Sequence, residues 1–299
     1  MSLYRLMKLF PLFNWILLLC LVIFSGCSPL NSFGNQREFN GNNALKLVKF
    51  QVDLGPRIPG TPAHQECINW IGETLLKNGW LVEKQSFSYK GIVLTNVIAK
   101  NRSANPDIIL GAHFDTRMIA DQDPDPANRN KPVPGANDGA SGVAVLLELS
   151  RILPLSHSQN IWLVFFDAED QGNINDWDWI IGSRFFARSL PSRPKMVVIL
   201  DMIGDRSLNI HYERNSNVEI SQNIWAKAAQ LGYQNYFIQT SKHSILDDHT
   251  PFLEIGIPAV DIIDFDYPYW HTISDTIDKV SAESLRIVGK TMYSWLMDQ

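Results

Sequence analysis

Apolar residues along this chain follow two rhythms. In some segments they recur every three or four residues; in others they run unbroken for five or six. Pro62 to Asn78 has the first rhythm, with Cys67, Ile68, Ile71, Leu75 and Leu76 on one side and Gly79 as the stop. Helical spacing also predicts helices over Ala44 to Leu54, Gly139 to Leu153, Ser183 to Leu190, Val218 to Leu231 and Ser281 to Met297. The second rhythm marks strands at Asn96 to Lys100, Asp107 to Ala112, Asn160 to Phe166, Met196 to Leu200 and Pro258 to Ile263. Continuous apolar strands alternating with helices imply a largely parallel sheet covered on both faces. The expected class is α/β.

A length of 299 residues, 45% hydrophobic and 19% charged, suits one globular enzyme-sized domain. The formal net charge of −5 offers no basic footprint, so no nucleic-acid partner is expected. The first residues change the picture. Arg5 and Lys8 precede an apolar run, Trp15 to Phe24, and then Ser25-Gly26-Cys27. That order reads as a secretory signal over residues 1–26. Ile23-Phe24-Ser25-Gly26-Cys27 resembles a bacterial lipobox, in which Cys27 becomes the lipidated first residue. The alternative is an uncleaved anchor, for which the run is short against the roughly 20 residues of a span. Residues 27–40 then form the lipidated cysteine and a polar tether, and residues 41–299 form one domain. The expectation is an exported monomer held to a membrane of the bacterial cell envelope by its lipid. With Cys20 removed and Cys27 modified, Cys67 has no disulfide partner.

The chemistry gathers where the strands end. Glu169-Asp170 closes the apolar run Ile161 to Phe166; two adjacent acids there are costly unless a cation or a proton transfer needs them. His113-x-Asp115, Asp138, Asp201 and His271 also lie at or just beyond strand ends. In parallel sheets ligands bind outside the carboxyl ends of the strands. Histidines and carboxylates together are the donors of a hydrolytic-type zinc site, with one carboxylate to spare as a base. Asp138 could instead be a helix cap, Asp201 a turn residue and His271 a core histidine. His64, His157, His211 and His243 lack such company and read as structural or surface residues. Asp247-Asp248, before a short helix, could cap it or hydrogen-bond a substrate amine or amide. Trp270 adjoins His271 and is expected in a pocket wall. The acidic loop Asp121 to Lys131 lacks the glycine and ligand spacing of an EF-hand, so calcium is a weak reading.

From about Leu54 onward the chain resembles the zinc-dependent glutaminyl-peptide cyclotransferases of the animal type and their bacterial relatives. The matching pieces include Leu54-Gly55-Pro56-Arg57, Ala112-His113-Phe114-Asp115, Gly135-Ala136-Asn137-Asp138-Gly139, Phe166-Asp167-Ala168-Glu169-Asp170, Leu200-Asp201-Met202, Asp247-Asp248-His249 and Trp270-His271-Thr272. These proteins share their fold with the zinc aminopeptidases, so the resemblance implies a single-domain three-layer sandwich with a mixed, mostly parallel sheet. It implies one zinc at Asp138, Asp170 and His271, with Glu169 as the base and Asp247 and Asp201 assisting. Trp270 and Trp177 would bind substrate, with Trp179 as the alternative to Trp177. The substrates implied are N-terminal glutamines of peptides or proteins. A two-zinc aminopeptidase is the second possibility, with His113 and Asp201 adding the second metal. A non-catalytic peptide-binding protein is the third. Two departures stand out: animal cyclases carry Glu where this chain has Asp170, and the loop around Trp177 differs in length.

Overall fold

The computed structural model describes residues 38–156, 158 and 160–299. The signal segment and most of the expected tether lie outside these residues, as does His157. The last three tether residues belong to the fold. Phe39 is buried against Gly289, and Asn40 caps the first helix by accepting from the backbone N–H groups of Asn42 and Asn43.

Helices α1 (Gly41–Asp53) and α2 (Pro62–Lys77) come first, then strands β1 (Leu81–Tyr89), β2 (Ile92–Lys100) and β3 (Ile108–His113). Next are α3 (Ala140–Ile152), β4 (Ile161–Phe166), α4 (Ile181–Arg188), β5 (Met196–Asp201) and β6 (Ile210–Tyr212). The chain ends with α5 (Val218–Gln230), β7 (Phe237–Ser241), α6 (Thr250–Glu254), β8 (Ala259–Ile263) and α7 (Ala282–Met297). Six strands form one sheet in the order β1-β2-β4-β3-β5-β8. β1, β2 and β4 pair antiparallel, while β4, β3, β5 and β8 run parallel. β6 and β7 form a separate two-stranded parallel pair.

The buried strands serve two faces because successive side chains alternate. Leu110, Leu163, Phe165, Val198, Leu200 and Val260 point into a core built with α1, α2, α3, α5 and α7. Ile109, Trp162, Val164, Phe166, Val197 and Ile199 point the other way, onto Phe186 of α4 and Phe252 of α6. The result is the expected mixed, mostly parallel sheet between two helical layers.

The periodic pattern did not reveal β1. Its sequence, LVEKQSFSY, is largely exposed on the sheet edge, so burial imposes little pattern on it. Pairing with β2 over nine residues makes it a strand. α3 packs unusually close to the sheet: a side chain at Gly142 would collide with the Leu200 carbonyl. Among the described residues, no helix is long and apolar enough to cross a membrane.

Candidate metal centre and active site

The carboxyl ends of the parallel strands carry the site. His113 is the last residue of β3 and Asp201 the last of β5; Glu169 and Asp170 follow β4. The backbone turns sharply at each place. Ala168, Met202 and His271 all have positive φ, at 54°, 45° and 53°, a region costly for side-chain-bearing residues. Those turns aim Glu169, Asp201 and His271 at a common point. Asp138 does not cap α3; Gly139, at φ 85°, is the N-cap, which leaves the Asp138 carboxylate free.

Two ligand triads share Asp138. Ligand atoms of Asp138, Asp170 and His271 lie within 4.8 Å of one another, and so do those of His113, Asp138 and Asp201. His271 Nε2 is 2.8 Å from Asp170 Oδ1 and 3.7 Å from Asp138 Oδ2. His113 Nε2 is 3.1 Å from Asp138 Oδ1 and 3.2 Å from Asp201 Oδ1. Neither oxygen of Asp170 has a partner in hydrogen-bonding geometry, and Asp138 Oδ2 has none. Buried oxygens in that state fit a cation between them. The donor set of carboxylates and imidazoles suits zinc.

The supporting contacts are specific. Asp115 accepts from the backbone N–H groups of Glu169 (2.9 Å) and Asp170 (3.2 Å), which fixes the acidic pair. Asp275 accepts from the N–H groups of Asn137 (2.8 Å) and Asp138 (3.1 Å) and from Tyr267 Oη (2.6 Å). Arg117 donates to the Asp170 carbonyl at 2.9 Å and holds Asp121, whose Oδ1 is 3.6 Å from His271 Nδ1. A carboxylate behind a ligating imidazole orients the ring.

A cavity of about 230 Å³ opens over the first triad. Glu169, Asp201 and Asp247 line it with the triad, and Trp270, Trp179, Leu246 and Phe265 supply apolar walls. Trp270 stacks on His271 at 3.7 Å between ring centres, and Trp179 lies parallel to it at 6.1 Å. The loop tryptophan that reaches this cavity is thus Trp179, not Trp177. Trp177 packs on Tyr89 and faces an adjoining groove. Arg117, just before the acidic loop, stacks on Trp179 at 4.8 Å and so holds it at the cavity.

Burial, and then the nearby acids Asp247, Asp170 and Asp248, push the Glu169 carboxyl well above its ordinary range, against the pull of His113. Burial also raises Asp201 to about 7, and burial with Asp138 raises Asp170 to about 6. Burial disfavours the His113 imidazolium, but its contacts with Asp115, Asp138 and Asp201 outweigh this and raise its pKa. Acids crowded this way hold protons until a cation displaces them.

Behind the cavity, Asp247, His249 and Asp261 bring ligand atoms within 4.8 Å of one another. His249 Nε2 is 3.3 Å from Glu213. Sequence reasoning passed over Glu213, Asp261 and Asp275. An acid inside the apolar run Ala259-Val260-Asp261-Ile262-Ile263 was the available signal for one of them. Of the histidines set aside, His64 is a buried structural partner of Asp167 at 2.7 Å, while His211 and His243 approach Asp266.

The strand-end cluster on a covered, mostly parallel sheet defines a zinc-dependent exopeptidase-like enzyme. Residues 96–296 match the model of peptidase family M28, and the chain belongs to that family. Its fold matches the solved Porphyromonas gingivalis glutaminyl cyclase with a TM-score of 0.81 and 34% identity, covering 87% of this chain and 99% of that one. It equally matches a Bacteroides thetaiotaomicron structure described as a leucine aminopeptidase precursor, with a TM-score of 0.81 and 33% identity over 89% and 99% of the two chains. The glutaminyl-peptide cyclotransferase of the snake Gloydius blomhoffii is 27% identical over 301 residues, 83% of this chain and 80% of that protein.

Proposed function

We propose that the chain is a glutaminyl-peptide cyclotransferase, converting N-terminal glutamine of peptides or proteins to pyroglutamate and releasing ammonia. The observation that carries the reading is the small cavity over the first triad, walled by Trp270 and Trp179, into which the buried Glu169 faces. Zinc held by Asp138, Asp170 and His271 would polarise the side-chain carbonyl of the glutamine. Glu169 accepts a proton from the attacking α-amine as the new C–N bond forms. It returns that proton to the departing amide nitrogen, which leaves as ammonia when the old C–N bond breaks. Asp247 orients the amide, and Asp201 supports Glu169 from the side of β5. Trp270 and Trp179 flank the folded side chain and keep its amine against its own carboxamide, so orientation supplies much of the acceleration.

The second triad, His113, Asp138 and Asp201, favours one other reading: a two-zinc aminopeptidase. Purified protein loaded with zinc, offered Gln-initiated and Leu-initiated peptides, separates the two. Ammonia from the Gln peptide with the Leu peptide intact supports the cyclotransferase. Release of free N-terminal amino acid would transfer the assignment to the aminopeptidase. The signal-like start and the lipobox-like Ile23-Phe24-Ser25-Gly26-Cys27 support export and lipid anchoring; mass analysis of the N-terminus from cells tests for lipid on Cys27.

A further inference from the structure

A second groove, of about 380 Å³, adjoins the substrate cavity. Trp179 and Leu246 form walls of both, so a peptide extending from the cavity over these two residues would enter the groove. The two spaces have opposite character. The cavity is lined by five carboxylates: Asp138, Glu169, Asp170, Asp201 and Asp247. The groove is lined by Arg184 and Arg188, one turn apart on α4, with a single acid, Asp178. Tyr89 Oη engages that acid at 2.9 Å. Arg184 gives Nη1 to Glu254 at 2.7 Å. The exposed side chain of Arg188 makes no hydrogen bond or ion pair among the described residues. Its guanidinium is a five-donor fork with no acceptor at hand.

We infer that this groove is a downstream subsite for a carboxylate, which gives the enzyme a preference for substrates bearing an acidic residue shortly after the N-terminal glutamine. The inference rests on the cyclotransferase reading. The acidic cavity takes the amino end of the peptide, and the groove takes negative charge beyond the rim. The carboxylate can come from a Glu or Asp side chain or, in a very short peptide, from the free C-terminus; Arg188 would bind either.

The test is a series of C-terminally amidated Gln peptides carrying Glu, Gln or Lys at positions two, three or four, with one short peptide also made as the free acid. An exposed pairing of this kind is worth about three- to fivefold in kcat/KM, mostly through KM, and fades at high salt. One position is expected to favour Glu over Lys by at least that margin. A gain confined to the free acid would identify the C-terminus as the source. Arg188→Glu is expected to reverse the preference toward Lys, a gain that misfolding cannot produce. Equal kcat/KM for Glu, Gln and Lys at every position, with no effect of the free C-terminus, overturns the subsite and leaves the cyclotransferase standing. So does a preference unaltered by Arg188→Glu. If no Gln peptide is cyclised, the cyclotransferase reading itself fails and the subsite with it.

Discussion

Glu213 is expected to be one of the most valuable single carboxylates in the fold, and pH exposes why. It lies just after β6 with its side chain fully buried. Oε2 accepts from the N–H groups of Asn215 (2.9 Å) and Ser216 (2.8 Å), and from Ser216 Oγ (2.9 Å). Oε1 accepts from the Ile245 N–H at 3.0 Å, which fixes the loop that carries Leu246 and Asp247 into the cavity. Burial alone would raise its pKa, but His249 and these N–H donors overcome it and bring the group from 4.5 down to about 2. At 1.36 kcal/mol per unit, that depression corresponds to about 3 kcal/mol of folding stability. The sign follows: the folded state holds the ionised form, so the contribution is complete above pH 4.5 and is lost as pH falls toward 2. Gln at this position does not titrate and cannot satisfy the same donors. Urea denaturation should therefore show Glu213→Gln about 2–4 kcal/mol less stable at pH 7. The gap should narrow by about 1 kcal/mol by pH 3.5. A gap that stays constant over this range, or a variant as stable as the parent at pH 7, would refute the clamp.

Three further outcomes follow from the site. Glu169→Gln is expected to lower turnover by about 10²- to 10⁴-fold while bound zinc, measured by metal analysis, is retained; surviving activity would remove Glu169 as the base. Asp275→Asn should weaken zinc binding by about tenfold or more in a chelator competition, because the N–H of Asp138 loses its fixed acceptor; unchanged affinity would show that Asp138 needs no such support. Trp179→Ala should raise KM for a Gln peptide more than Trp177→Ala does, since Trp179 walls the cavity and Trp177 does not; the opposite order would reassign the substrate wall.

Much of the molecule was legible before folding. The buried strands β3, β4, β5 and β8 announce themselves because a strand covered on both faces must be apolar throughout. The acids and histidines at or beyond the ends of those runs were conspicuous for the same reason: charge beside a dry strand is expensive unless something uses it. So His113, Asp138, Glu169, Asp170, Asp201 and His271 could be named from sequence. Their grouping could not. That Asp138 belongs to both triads depends on the strand order β4-β3-β5 and on the positive-φ turns at Ala168, Met202 and His271. Likewise, sequence placed two tryptophans two residues apart in one loop, and only the stacking of Arg117 on Trp179 decided which of them meets the cavity. Glu213 and Asp275 were invisible because their long-range partners are backbone N–H groups, of Ile245 for one and of Asn137 and Asp138 for the other, and every residue but proline offers one. Sequence by itself determined the layers and the donors, since hydrophobic period and misplaced charge are local properties. Tertiary structure decided which donors come together, which ring walls the cavity and which carboxylates hold them there, because those depend on distances between segments far apart in the chain.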